Sequence, residues 1–203
     1  MSDLDHVTNQ IQILAKASKR IIVGIAGAPG SGKSTLVSGL CAKLDGAVVV
    51  PMDGFHLDNE ILQQRGMMLR KGSPASFDAE GYYQLISRLK HAKETVYAPI
   101  FDRSCDLSKA GAIAIASNVK IILTEGNYLL LDQAPWNKLT ELFDLTVCLD
   151  VSEETLRKRL VDRWLGYGLS LEEALKRAES NDLINATLVT QHSKQADISI
   201  KNF

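Results

Sequence analysis

The stretch from Gly27 to Ser34 reads GAPGSGKS and matches the pattern G-x-x-x-x-G-K-[ST] in full. The β-branched run RIIVGIAG leads into it, and leucines and valines at helical spacing follow from Thr35 to Leu44. A strand, a glycine-rich turn and a helix in that order leave few folds open, because such a turn is built to hold phosphate. Glycines let the backbone curl so that successive N–H groups point inward, and the helix adds its positive end. Gly27, Ala28, Pro29, Gly30, Ser31, Gly32, Lys33, Ser34 and Thr35 are therefore the expected nucleotide cradle. Lys33 would put a cation on the β- and γ-phosphates, and the Ser34 hydroxyl is positioned to ligate Mg²⁺. The motif predicts that a nucleoside triphosphate binds; what becomes of it has to be read elsewhere.

Around this motif, short apolar runs alternate with helical patterns. GAVVVPM, VKIILTEG, FDLTVCLDV and ADISI read as further strands. Leu4, Val7, Ile11 and Leu14 place an amphipathic helix over about the first 18 residues. Further helices are expected over Asp78 to His91, Glu153 to Trp164, and Leu171 to about Ala178, the last opened by a Ser170/Glu173 capping box. Continuous apolar strands separated by helices predict an α/β fold, a mainly parallel sheet covered on both faces. ETVYAPIFDR and GAIAIAS, linked by SCDLSKA, read as a hairpin-like excursion before the third central strand. With 203 residues and no linker or shift in composition, residues 1–203 are expected to be a single domain.

Composition excludes several classes. A formal net charge of -1 argues against a protein that lives on nucleic acid, so any strong positive potential must be local. Cys41, Cys105 and Cys148 are far apart and form no CxxC pair, which speaks against disulfides and zinc. The N-terminus lacks an apolar signal region, and no apolar run nears the ~18 residues of a membrane span. A cytoplasmic protein without membrane contact is the expectation.

Two acids decide the chemistry. Glu125, at the polar end of IILTEG, takes the Walker-B place and should help hold the metal, the bland alternative being an ordinary strand-end residue. That place is usually Asp in GTPases and motor ATPases, so a glutamate leans towards small-molecule kinases. Asp53 ends the run VVVPMD and is followed by Gly54, Phe55 and His56. In a parallel sheet ligands bind beyond the carboxyl ends of the strands, so Asp53, Glu125 and the glycine-rich turn should meet in one crevice. A carboxylate that the cradle does not need suits a general base for an acceptor hydroxyl. A Pro-x-Asp-Gly turn is the bland alternative for Asp53. His56 either bonds the acceptor or caps the next helix. Arg159 and Arg163 share one face of a helix, where they could close over the phosphates or remain solvated. Gly166 and Gly168 beyond them would suit a hinge.

Taken together, these motifs resemble the P-loop kinases of the uridine kinase, phosphoribulokinase and bacterial-type pantothenate kinase family, from about residue 20 to the end. MDGFH resembles the family's strand end bearing the catalytic base, RKGSPASFDAEGYYQLISRLK a pantothenate kinase segment, YAPIFDR the substrate-side segment and IILTEGNYLLL the Walker-B strand. DGFHLDN, EGNYLLL, PW and NDLINATLV are similar to short bacterial nucleoside/nucleotide kinase-like or fructose-transport-system kinase members. The resemblance implies a three-layer fold with five parallel strands in the order 2-3-1-4-5. It also implies Asp53 as base, Arg159 or Arg163 in a lid over about residues 157–180, and Asp102, Arg103 and Asn127 lining the acceptor pocket. ATP and Mg²⁺ as cofactors, a small hydroxylated acceptor and a homodimer follow from the same resemblance. YAPIFDR lacks the residues that surround pantothenate in its kinases, and the uridine-kinase pattern after the equivalent proline is missing, so neither substrate carries over.

A regulatory GTPase and a nucleotide-binding scaffold are the competing readings. NKLT at Asn137 to Thr140 comes near the guanine-reading N-K-x-D but has threonine in place of the aspartate. DAEG at Asp78 matches D-x-x-G but is expected to open a helix. The intact set of Lys33, Ser34, Glu125 and Asp53 argues against a scaffold.

Overall fold

Every residue of the first apolar run is buried where it forms the middle of a sheet. In the computed structural model, which describes residues 2–201, the strands follow in chain order as β1 (Ile21–Gly27), β2 (Val48–Pro51), β3 (Val96–Asp102), β4 (Leu107–Ile115), β5 (Ile121–Gly126), β6 (Leu145–Asp150) and β7 (Ile198–Lys201). Met1, Asn202 and Phe203, the ends of the expected 1–203 span, lie outside the described residues. One five-stranded sheet runs β2-β5-β1-β6-β7 with all pairs parallel. With the hairpin strands β3 and β4 left out of the count, this is the expected order 2-3-1-4-5.

Helices cover both faces, as continuous apolar strands require. Alternation along β1 sends Ile21, Val23 and Ile25 to one face, where they meet Val7 and Ile11 of α1 (Asp3–Ala17) and Leu36 and Leu40 of α2 (Lys33–Cys41). Ile22 and Ala26 go to the other face, against Tyr82, Ile86 and Leu89. Those three belong to α4 (Ala79–His91), which follows the short α3 (Asn59–Gln64). Each fully buried Leu or Ile is worth roughly 1.5–3 kcal/mol, so the two layers bind the sheet from both sides.

Past β6 the chain forms α5 (Glu153–Gly166), α6 (Leu171–Arg177), a π-helical turn over Ala178–Asp182 and α7 (Leu183–His192). They share a third apolar cluster of Leu156, Leu160, Ala174, Ala178 and Leu183, which reaches Ala28. The predicted capping box at Ser170 and Glu173 is present.

Several boundaries differ from the sequence reading. Helix α2 starts at Lys33, ahead of the expected Thr35, because Gly32 at φ 97° serves as its N-cap. Strand β4 begins at Leu107 and takes in residues read as the hairpin link, since Asp102 pairs with Leu107 and Phe101 with Ser108. A bulge between Ala98 and Ile100 bends the partner strand. Helix α7 has no counterpart in the sequence reading. Among the described residues no helix is long and apolar enough to cross a membrane.

Candidate active site

A crevice of about 400 Å³ opens beyond the carboxyl ends of β1, β2 and β5. Pro29, Gly30, Gly32, Lys33, Ser34 and Thr35 form one wall, while Gly27, Ala28 and Ser31 lie behind it. Gly30 and Gly32 take φ of 80° and 97°, a left-handed backbone that favours glycine. The first N–H groups of α2 have no intrahelical partner, and no side chain caps them, so they suit anionic oxygens. The Lys33 ammonium donates to the carbonyls of Gly27 and Ala28, both at 3.0 Å, and to Asn127 Oδ1 at 2.7 Å. Burial brings its pKa down to about 8, with Glu125 and Asp53 pulling upward.

Glu125 ends β5, and both its carboxylate oxygens accept from Ser34 Oγ at 3.0 Å. Burial raises the Glu125 pKa, opposed by the Ser34 hydrogen bond and the Lys33 charge. A hydroxyl and a carboxylate are hard oxygen donors of the kind Mg²⁺ takes, in small number, when phosphates and water complete its shell. Among the described residues no group of three or more His, Cys, Asp and Glu could hold a metal by itself. The donor set therefore fits a cation that arrives with a triphosphate.

The β2–β5 register pairs Pro51 with Glu125, so Asp53, two residues on, enters the same crevice. It sits in a short 3-10 turn, Met52–Phe55, and its Oδ2 accepts from Arg103 Nη2 at 2.7 Å. Gly54, which follows, does not have its φ in the left-handed region. Its role is close approach: a Cβ there would lie 2.5 Å from the Pro99 carbonyl oxygen on β3. His56 does not cap the next helix, because Asp58 does so by accepting from Glu60 N at 2.8 Å. The His56 ring lies between Phe77 and Phe101, with centroids 4.0 and 4.5 Å away. Burial lowers its pKa, so the ring is neutral near pH 7. Nδ1 meets the Asp53 carbonyl at 2.8 Å; a carbonyl only accepts, so Nδ1 carries the proton and Nε2 is an acceptor.

Of the residues implied for the acceptor pocket, Arg103 and Asn127 line the crevice and Asp102 does not. One Asp102 oxygen accepts from Ser104 N at 2.9 Å and Cys105 N at 3.2 Å, and the other pairs with Lys109, so this carboxylate shapes the hairpin tip. Arg163 faces the crevice and pairs with Asp182 at 3.2 Å. Arg159 donates to the carbonyls of Gly30 and Ser31 at 3.4 and 3.3 Å. Leu156 and Leu160 of the same helix are buried. The sequence reading missed Lys71, Phe101, Asp106, Trp164, Arg177 and Asp182, which also line the crevice. A signal was available in NDLIN, where Asn181, Asp182 and Asn185 are buried polar residues beside an apolar helix face. The two guanine-motif look-alikes stay outside: Asp78 caps α4, and Asn137 lies in the 3-10 helix Trp136–Leu142.

Comparison with known proteins gives concordant results. The AAA domain family matches residues 23–166. A Schizosaccharomyces pombe protein named "Putative uridine kinase" is 35% identical, covering 99% of this chain and 91% of its own length. The pantothenate kinase of Corynebacterium diphtheriae is 30% identical over 71% of this chain, which spans 48% of that protein. The crystal structure of a "putative fructose transport system kinase" from Silicibacter superposes with a TM-score of 0.92 at 42% identity, covering 98% of this chain and all of the other.

Proposed function

Because this chain belongs to the AAA-domain P-loop proteins, and within them to the uridine kinase and pantothenate kinase family of phosphotransferases with an alcohol acceptor, we propose that it moves the γ-phosphoryl group of ATP to a hydroxyl of a small metabolite. The acceptor oxygen bonds to the γ-phosphorus, the bond from that phosphorus to the β–γ bridging oxygen breaks, and ADP leaves. The hydroxyl proton passes to Asp53 as general base.

One observation carries this reading: the Asp53 carboxylate lines the same crevice as Lys33 and Ser34 yet takes no part in the cradle. Its partner Arg103 fixes the position of the carboxylate from one side. Lys33 exchanges its two carbonyl partners for phosphate oxygens, and the open N–H groups of α2 receive the rest of that charge. Ser34 and Glu125 would hold Mg²⁺, which would supply charge neutralisation to the phosphates. Arg163, from the helix above, stabilises the charge that develops during transfer. The later part of α5 together with α6, within about residues 157–180, then serves as a lid on a single kinase domain spanning the chain.

A screen of sugars, nucleosides and vitamin-like alcohols for stimulated ADP formation, followed by Asp53→Asn, tests the proposal. The substitution is expected to lower kcat by roughly two to four powers of ten while ATP affinity stays within about twofold. Full activity of the variant with the acceptor so found would remove Asp53 as the base. Alcohol-independent GTP hydrolysis would favour the regulatory GTPase.

A further inference from the structure

Among the residues that line the crevice, carboxylates and cations come in pairs. Asp53 takes Arg103 at 2.7 Å, Asp106 takes Lys71 at 2.9 Å and Asp182 takes Arg163 at 3.2 Å. Arg177 remains. It lines the crevice, and among the described residues its only recorded partner is the face of Trp164, 5.3 Å from the ring centroid. Three carboxylates matched by three cations leave this guanidinium as an uncompensated positive charge.

The geometry also holds Arg177 ready. Trp164 Nε1 donates to Asp182 Oδ2 at 2.6 Å, and Asp182 is itself buried, so the indole is fixed in place. A guanidinium stacked on an aromatic face keeps its N–H edge free for a planar or tetrahedral anion. The π-helical turn that follows Arg177 faces the acceptor side, because Asn181 Nδ2 donates to the Lys71 carbonyl at 2.8 Å. Lys71 in turn stands 5.0 Å over the ring of Phe101, which packs on His56 beside Asp53.

We propose that the phosphoryl acceptor is itself an anion, a hydroxylated carboxylate or phosphate monoester whose charged group docks on Arg177 while its free hydroxyl faces Asp53. This rests on the phosphoryl transfer proposed above and narrows its substrate class. The uncompensated cation selects against neutral alcohols, and the guanidinium fork accepts either kind of anion.

Matched acceptors separate the alternatives: glycerate against glycerol, gluconate against sorbitol, and glucose 6-phosphate against glucose, each assayed by ADP release. The charged member of a pair is expected to be the better acceptor, and the carboxylate and phosphate arms show which anion is preferred. For that acceptor Arg177→Gln should raise KM about tenfold or more, the worth of a hydrogen bond to a charged group. ATP KM and kcat should stay within about twofold, and Arg177→Lys should restore part of the preference. Equal use of neutral members, or an unchanged acceptor KM in Arg177→Gln, would overturn the anionic acceptor and leave phosphoryl transfer standing. A rise in ATP KM would reassign Arg177 to the nucleotide and end the proposal. Failure of every alcohol, charged or neutral, to stimulate ADP release would overturn phosphoryl transfer and this inference with it.

Discussion

Lys33 meets two demands that conflict until a ligand arrives. Its ammonium is withdrawn beneath the loop, bonded to two backbone carbonyls and Asn127, and burial brings its pKa to about 8. Phosphate oxygens favour the charged form, so nucleotide binding raises that pKa again. ATP affinity is therefore expected to be flat below about pH 7.5 and to fall as pH rises through 8, approaching tenfold per unit above it. Titration calorimetry in buffers of different ionisation enthalpy checks this, since binding above pH 8 should take up a proton. The sign is opposite for the empty fold. Burying charged Lys33 costs stability at neutral pH, and the cost fades from about pH 8 towards the unfolded lysine value near 10.4. A flat ATP affinity up to pH 9.5 (roughly, on the same linkage argument) would mean that Lys33 is better solvated than its contacts indicate.

At the level of elements, the hairpin of β3 and β4 decides whether Asp53 meets Arg103, and Gly54 decides how closely the hairpin can sit. A Cβ at position 54 would lie 2.5 Å from the Pro99 carbonyl oxygen, and backbone cannot swing aside as a side chain can. Gly54→Ala should lower stability by about 1–3 kcal/mol, the usual cost of overpacking, and raise acceptor KM more than ATP KM. Urea unfolding and initial rates measure the two effects separately. The sheet was legible in the sequence because buried parallel strands are continuous apolar runs, and Glu125 and Asp53 were legible because they end two of them. Asp102 was not, because pairing of its carboxylate with Lys109 depends on where the hairpin turns. Trp164, Arg177 and Asp182 converge only through the packing of α5, α6 and the π-helical turn, which no spacing along the chain announces. Helix α7 was missed because Asn181, Asp182 and Asn185 give its start a polar look, although all three are buried.

Across the whole molecule, a chain of formal net charge -1 concentrates Lys33, Arg103, Arg163 and Arg177 around one cavity. Nucleotide that binds only the folded state should therefore protect the entire fold. At one hundred times its Kd, ATP is expected to add about 2.7 kcal/mol, or roughly 5–11 °C in Tm for a chain of this length. GTP should protect less, because Thr140 stands where a guanine-reading aspartate would be and Asn137 lies outside the cavity. Thermal scans with each nucleotide decide it, and equal protection by GTP would count against the adenine preference. The chain has two tryptophans, one sealed in the core at position 136 and one at the cavity wall at position 164. The protein thus carries a built-in optical gauge: with Trp136 replaced by Phe, emission from the remaining indole, flanked by Arg163 and Arg177, should change in intensity or colour as the cavity fills. Occupancy could then be followed in real time without a label.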